Sequence, residues 1–183
     1  MQSTVNQTVL DKKVTGDNVE LAVKLETQDA KGKTLEPKEY KVECVDGVFK
    51  VDMSYFLDPE MLKNYQSMEV SVSGDALEMP SDMAAGQTLN DGQINVAVGM
   101  GGTVIMNMYV NITNRKVEGK ESITTPAGTF DCFKITYTIE TKFGVKIERN
   151  TVEWIAKNVG TVRSESYKGD KLEGYTELTK LGL

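Results

Sequence analysis

The sequence contains no histidine in its 183 residues. A Ser-His-Asp triad and a Cys-His pair are therefore excluded, because each uses an imidazole as its base. Zinc and copper sites built on histidine are excluded for the same reason. The chemistry that remains open is acid/base work by carboxylates, a Ser/Lys arrangement, or a hard-cation site made of oxygens.

Arginine is also scarce, since Arg115, Arg149 and Arg163 are the only three. The chain has 27 acidic and 21 basic residues, a net charge of −6. No run of Lys or Arg provides the clustered positive face that phosphate backbones require. Nucleic acid is therefore not an expected partner.

Long apolar runs are missing as well. No segment reaches the 18 or so apolar residues of a membrane-spanning helix. The first residues, from Met1 to Val5, have neither a basic start nor the apolar run of a signal peptide. This start is typical of a cytoplasmic protein or of an exported protein trimmed for expression, and both remain open.

The most regular pattern in the chain runs from Ile94 to Ile112. Its even positions are apolar except Gly102, and its odd positions are mostly small or polar. A period of two predicts strands with one buried face. The glycines at 99, 101 and 102 predict a bend or reversal, giving two strands that share one methionine-rich apolar face.

The remaining chain shows similar alternation between short polar turns. We predict a single β-rich domain over residues 1–183, with about ten antiparallel strands. One short helix is expected to begin at Asp58, followed by Pro59. A sheet of this size must hide its apolar face, so a curved half-barrel or barrel is expected first and a sandwich second. The longest irregular stretch, 80–92, is where a flap or domain seam is expected.

Eight of the nine methionines fall between Met53 and Met108. Methionine is common on surfaces that accept varied apolar partners, but it also fills gaps in ordinary cores. The functional interpretation is a ligand-binding face for an apolar molecule, formed by Val98, Met100, Val104, Met106 and Met108. No third soft ligand accompanies Met106 and Met108, so no metal site is predicted.

Two other interpretations compete with a ligand-binding face. One is a structural or interaction domain that pairs an open sheet edge with a protein partner. A solvent-open cavity of at least about 300 Å³ would favour the ligand, and a filled core the partner. The other is a carboxylate hydrolase, for which Glu153 beside Trp154 is the candidate acid. The sequence gives no sign of its second carboxylate, so no enzyme, catalytic residue or cofactor is predicted.

Cys44 and Cys132 are the two cysteines. Free cysteines are often small buried hydrophobes, and a single disulfide is the alternative. Their spacing excludes CxxC chemistry.

Three blocks of sequence resemble the TapB-like family of bacterial exported proteins of unassigned function. They are Glu43–Met53, Thr113–Lys120 continuing into Thr124–Cys132, and Val159–Tyr167. The segment Pro-Ala-Gly-Thr-Phe-Asp-Cys, residues 126–132, is the most specific. The resemblance implies a periplasmic or outer-envelope location and a Cys44–Cys132 disulfide. It also implies that a signal segment and one further strand are absent from this chain, which is then trimmed at its N terminus. The fold it implies is a half-barrel similar to the lipoprotein-localisation factors, whose concave face holds acyl chains, and this makes a lipid the expected apolar ligand. It supplies no catalytic residues.

Overall fold

The computed structural model describes residues 3–29, 31–57, 62–65 and 67–182. These residues form the strands β1 (Thr4–Thr15), β2 (Asn18–Gln28), β3 (Lys38–Val45), β4 (Val48–Asp52), β5 (Glu69–Gly74), β6 (Ala76–Pro80), β7 (Gly92–Met100), β8 (Thr103–Thr125), β9 (Gly128–Phe143), β10 (Val145–Ala156), β11 (Gly160–Lys168) and β12 (Lys171–Glu177). A one-turn 3₁₀ helix, Met53–Phe56, follows β4. No helix of the described residues has the length and apolar character needed to cross a bilayer.

The strands form two antiparallel sheets. Hydrogen-bonded neighbours run in the order β1-β2-β3-β4-β6 in one sheet and β12-β11-β10-β9-β8-β7-β5 in the other. Neither order returns to its first strand, so neither sheet is closed into a barrel. The mainly antiparallel β prediction is confirmed.

The chain also divides into two compact units. Unit 1 contains residues Met1–Pro80 and Gly92–Met108, and unit 2 contains Ser81–Asp91 and Tyr109–Leu183. The irregular stretch between β6 and β7 therefore belongs to unit 2, although the strands on either side of it belong to unit 1.

Three details of the predicted fold are wrong. The described residues form twelve strands rather than about ten, and two sheets rather than one. The helix prediction does not match either, since the helical element named among the described residues is the 3₁₀ turn at Met53–Phe56, which was not predicted. Residues 58–61, the first turn of the predicted helix, lie outside the described residues.

The second sheet arises at Gly74. β5 pairs with β7, whereas β6, which begins two residues later, pairs with β4. A Cβ on Gly74 would lie 2.5 Å from the Gln93 carbonyl oxygen and 2.8 Å from the Ile94 Cα. Only glycine allows the chain to pass so close to β7 as it changes sheets. Alternation reveals a strand but not its partner, so this switch was not predictable.

Each unit has its own apolar core. The buried side chains of unit 1 include those of Val23, Leu25, Met53, Leu57, Ile94, Val96, Val98 and Met108. Those of unit 2 include Leu89, Val110, Ile112, Val117, Cys132, Ile135, Trp154, Ala156 and Val162.

Candidate functional site

The turn between β7 and β8 divides the predicted methionine-rich face. Gly101 and Gly102 form a two-residue turn, with φ angles of 59° and 77°. Such a turn places residues i and i+3 opposite one another, so beside the turn an odd position of β7 shares a face with an even position of β8. Val104 accordingly lines a groove with Ala97 and Gly99. Alternation along β7 puts Val98 and Met100 on its other face.

Burial divides the five predicted residues further. Val98 and Met108 are core residues, 0% and 1% exposed. Met100 and Val104 are 61% and 56% exposed, and Met106 is half-buried. The structure therefore does not bring these five side chains together as one surface. Binding of a ligand by any of them stays a prediction.

The groove that contains Val104 is small. Its volume is about 230 Å³, and its lining is formed by Glu69, Val70, Ser71, Ala97, Gly99, Gly102, Thr103 and Val104. Glu69 accepts a hydrogen bond from the Gly102 backbone N–H at 3.1 Å, so its carboxylate is held at one end. This volume is below the lower bound of about 300 Å³ for typical small-molecule pockets. The lining is also mixed rather than apolar, unlike the lining of a typical small-molecule pocket.

A larger apolar surface lies on the five-stranded sheet of unit 1, where residues of the same register form rows across all five strands. One row is charged throughout and consists of Lys13, Glu20, Glu43, Lys50 and Glu78. The next row is apolar throughout and consists of Val14, Val19, Cys44, Phe49 and Met79. Successive residues of a strand point to opposite faces, so at these two rows one face of the sheet is charged and the other is apolar.

The apolar face extends beyond that row. The parallel row on the same side contains Lys12, Leu21, Val42, Val51 and Leu77. Val9, Val23 and Tyr40 continue the surface across β1, β2 and β3. We call the two rows and these three residues the apolar face.

Most of the apolar face is not buried. No residue of its two complete rows is buried, and Val14 and Phe49 are 59% and 37% exposed. Val23 is buried, and Tyr40 packs against Tyr55 of the 3₁₀ helix with ring centroids 4.8 Å apart. Leu77 is also covered, since a Cβ on Gly92 of β7 would lie 2.7 Å from its Cδ1. The open part of the face is therefore the row of Val14, Val19, Cys44, Phe49 and Met79. Apolar area left open to this extent is typical of a binding surface rather than of a finished core.

The charged face is built as an ordinary solvent surface. Lys41 pairs with Glu20 at 3.6 Å and Lys50 with Glu78 at 3.2 Å. Exposed pairs of this kind contribute at most about 1 kcal/mol each. These ion pairs mark the charged face as the side of the sheet that faces water. The apolar face is therefore the side on which an apolar ligand could bind.

Unit 2 contains a polar cluster around Glu153 on β10. The carboxylate accepts hydrogen bonds from Thr161 Oγ1 on β11 at 2.6 Å and from Tyr137 Oη on β9 at 3.1 Å. Burial raises the pKa of the Glu153 carboxyl, while the two hydrogen bonds and the charge of Arg115 act to lower it. No second carboxylate is among these partners. The arrangement is a hydrogen-bond network across three strands.

A family model described as DUF3108-like matches residues 1–178. The chain belongs to the DUF3108-like family. The TapB-like name suggested by the sequence is not confirmed by this match. No curated protein matches this DUF3108-like chain at a significant level.

Two crystal structures resemble this DUF3108-like chain over almost its whole length. One is of a predicted exported protein with a YmcC-like fold from Bacteroides fragilis, with 26% identity and a TM-score of 0.75, covering 97% of this chain and 87% of that one. The other is of a predicted lipoprotein from Parabacteroides distasonis, with 26% identity and a TM-score of 0.77, covering 99% of this chain and 88% of that one.

The predicted disulfide is absent from this DUF3108-like chain. Both cysteines are free, Cys44 half-buried and Cys132 buried. Cys44 lies on β3 of the five-stranded sheet between Val19 and Phe49, whereas Cys132 packs in the unit 2 core on β9. Each side chain is therefore already used in packing within a different sheet. Burial also raises the pKa of the Cys132 thiol, which makes it a poor nucleophile.

Replacement of Glu153 by glutamine is expected to change how stability of this DUF3108-like chain depends on pH. Because the folded-state pKa of Glu153 is raised, its contribution is fully present below the unfolded-state pKa and is lost as pH rises through the folded value. The stability of Glu153→Gln relative to the unmodified protein should therefore increase as pH rises from about 4 to 8. Urea unfolding over this pH range measures the difference.

Glu121→Gln is the control of opposite sign. Hydrogen bonds from Lys134 and Trp154 lower the pKa of Glu121, so its contribution is lost as pH falls through that lowered value. The free energy of unfolding of the unmodified protein, relative to that of Glu121→Gln, should therefore increase as pH rises. If Glu153→Gln follows the same direction as Glu121→Gln, Glu153 does not have a raised pKa.

Proposed function

We propose that this chain is a non-enzymatic binding module of the bacterial cell envelope, which holds an acyl chain or similar apolar ligand on the apolar face. The observation that carries the proposal is the row of Val14, Val19, Cys44, Phe49 and Met79. It crosses all five strands without a polar side chain, and none of its members is buried.

The dimensions and chemistry of this row suit an extended hydrocarbon. Five strands about 4.8 Å apart span about 19 Å. Each methylene removed from water contributes about 0.8 kcal/mol, so a chain that buries about ten methylenes gains about 8 kcal/mol before the cost of association. The row offers no polar group to a ligand headgroup, and this favours an acyl chain over a sugar or nucleotide.

The location in this proposal is supported by the two similar structures. One is of a predicted exported protein and the other of a predicted lipoprotein. An envelope protein meets lipids and lipoproteins as neighbours, so an acyl ligand would be available to it.

Phe49→Glu is expected to weaken binding of the fluorescent fatty acid cis-parinaric acid by at least about tenfold, because the acyl chain would have to cover a carboxylate. Val48→Glu is the matched control, since Val48 is the preceding residue of β4 and points to the charged face. It should bind like the unmodified protein. Fluorescence titration of the three proteins, with circular dichroism to confirm folding, gives the comparison.

Cys44 provides a second, independent measurement. It belongs to the apolar row, and it is the more accessible of the two cysteines. Bound fatty acid should slow its alkylation by N-ethylmaleimide in the unmodified protein and in Val48→Glu, but not in Phe49→Glu. Equal binding and equal protection in all three proteins would refute this site. Met100→Glu and Val104→Glu then test the exposed part of the face predicted from sequence.

A further inference from the structure

The outer edge of β1 is the longest free edge of the five-stranded sheet. β1 pairs with β2 on one side, and no described residue pairs with its other side. All twelve of its residues are exposed. Its backbone therefore offers a row of unsatisfied N–H and C=O groups that a further strand could use.

β1 also lacks the usual protection of an edge strand. Charges, proline, glycine and short length normally block edge-to-edge pairing. The seven residues Thr4–Leu10 contain none of these features. The other edge strands of the described chain do: β5 and β6 have six and five residues, β6 ends at Pro80, and β12 contains Lys171, Glu173, Gly174 and Glu177.

We propose that two copies of the chain associate by antiparallel pairing of Thr4–Leu10 with the same segment of a second copy, with Gln7 on the twofold axis. This pairing sets Val5 of each copy opposite Val9 of the other on one face, and Asn6 opposite Thr8 on the other face. Cross-strand pairs of β-branched side chains stabilise a sheet.

The charges of β1 favour this arrangement over the alternatives. Asp11, Lys12 and Lys13 follow the uncharged run and lie outside the paired segment. A parallel, in-register pairing would place each charged residue opposite the same residue of the second copy. Like charges in such positions destabilise a sheet. The register shift between Val9 and Asp11 marks the end of the regular edge at the same point, since a bulge disrupts further pairing.

The association has a consequence for the apolar face. Val9 shares a row with Val23, so it lies on the apolar face of its own sheet. A twofold axis perpendicular to the sheet keeps both apolar faces on the same side. Pairing would therefore join two five-stranded sheets into a ten-stranded sheet whose two apolar faces lie on the same side, with the Gln7 side chains of both copies between them at the axis. The association itself does not depend on any ligand being bound.

Gln7→Lys tests the proposed dimer, because it places two like charges opposite each other at the axis. Sedimentation equilibrium should show a concentration-dependent dimer for the unmodified full chain. For Gln7→Lys the dissociation constant should rise by at least about tenfold. Thr15→Lys adds the same charge at an exposed position of β1 outside the paired segment, and it should leave the dimer unchanged.

Gln7→Cys adds a geometric test. Mild oxidation should yield a disulfide-linked dimer, whereas Thr15→Cys, which controls for cross-linking through Cys44, should yield far less. A monomer at all concentrations would overturn the proposal and leave the edge to a different partner. A dimer that Gln7→Lys does not weaken, or that Gln7→Cys does not link, would place the contact on another surface.

Discussion

Met108→Glu is expected to lower the free energy of unfolding by at least about 4 kcal/mol. The Met108 side chain is 1% exposed in unit 1. A carboxylate at this position would lose its hydration without gaining a partner, and the substitution would also remove apolar packing. A stability of 5–15 kcal/mol is typical of a domain, so a loss of this size is a large part of the total.

Met100→Glu is the matched control for that experiment. Met100 is 61% exposed at the end of β7, and the same substitution there should change stability by no more than about 0.5 kcal/mol. Urea unfolding followed by circular dichroism measures both variants. Similar losses at the two positions would mean that Met108 is not a core residue.

These two methionines show where the sequence interpretation of residues 94–112 succeeds and where it ends. The period of two identified both strands and the turn between them. It could not show that a two-residue turn at Gly101 and Gly102 exchanges the faces, because that depends on the number of residues in the turn. It also could not distinguish a buried apolar residue from one at a hairpin tip, since both keep the same alternation.

The five-stranded sheet shows a related limit. Alternation in β2 and β3 is plain in the sequence, with Leu21 and Val42 among its apolar positions. The complete apolar row appears only when β1, β2, β3, β4 and β6 are placed in register, and register is set by turns and bulges. Pairing of β4 with β6 requires the intervening chain to join another sheet at Gly74. The candidate site therefore depends on long-range pairing that composition and period do not encode.

Arg115 is a buried residue whose burial the sequence did not predict. It is 3% exposed, although arginine is usually found at surfaces. Between the paired residues Thr113 and Lys116, Asn114 and Arg115 together oppose Tyr137, so they form a bulge in β8. Asn114 has a φ angle of 56°, a left-handed conformation that asparagine tolerates well. An Asn-Arg pair within a long strand is the sequence signal that could have suggested this bulge.

Arg115 holds the segment Ser81–Asp91 against β8. Its guanidinium donates a hydrogen bond to the Asn90 carbonyl, and its own carbonyl accepts one from the Leu89 N–H at 2.9 Å. The Gly86 N–H donates to the Val117 carbonyl at 2.7 Å, which extends the same attachment. The charge of Arg115 also acts on the Glu153 carboxylate. The irregular segment is therefore fastened to the sheet of unit 2 rather than forming a free flap.

Arg115→Ala is expected to lower the free energy of unfolding by about 2–4 kcal/mol, because it removes a buried charged donor and leaves Glu153 without a compensating charge. Hydrogen exchange at the Leu89 and Val117 amides should become faster, since the Leu89 N–H donates to the Arg115 carbonyl and the Val117 N–H to the Gln87 carbonyl. Urea unfolding and exchange measured by NMR test the two parts.

Arg149→Ala is the control with the same change of side chain. Arg149 makes an ion pair with Glu173 near the surface, and loss of such a pair costs about 1 kcal/mol or less. Exchange at Leu89 and Val117 should not change in this variant. Equal losses of stability for the two arginines would show that the hydrogen bond to Asn90 and the charge of Arg115 near Glu153 together contribute no more than a surface ion pair. Faster exchange in both variants would point to general destabilisation, and the attachment of Ser81–Asp91 would then not depend on Arg115.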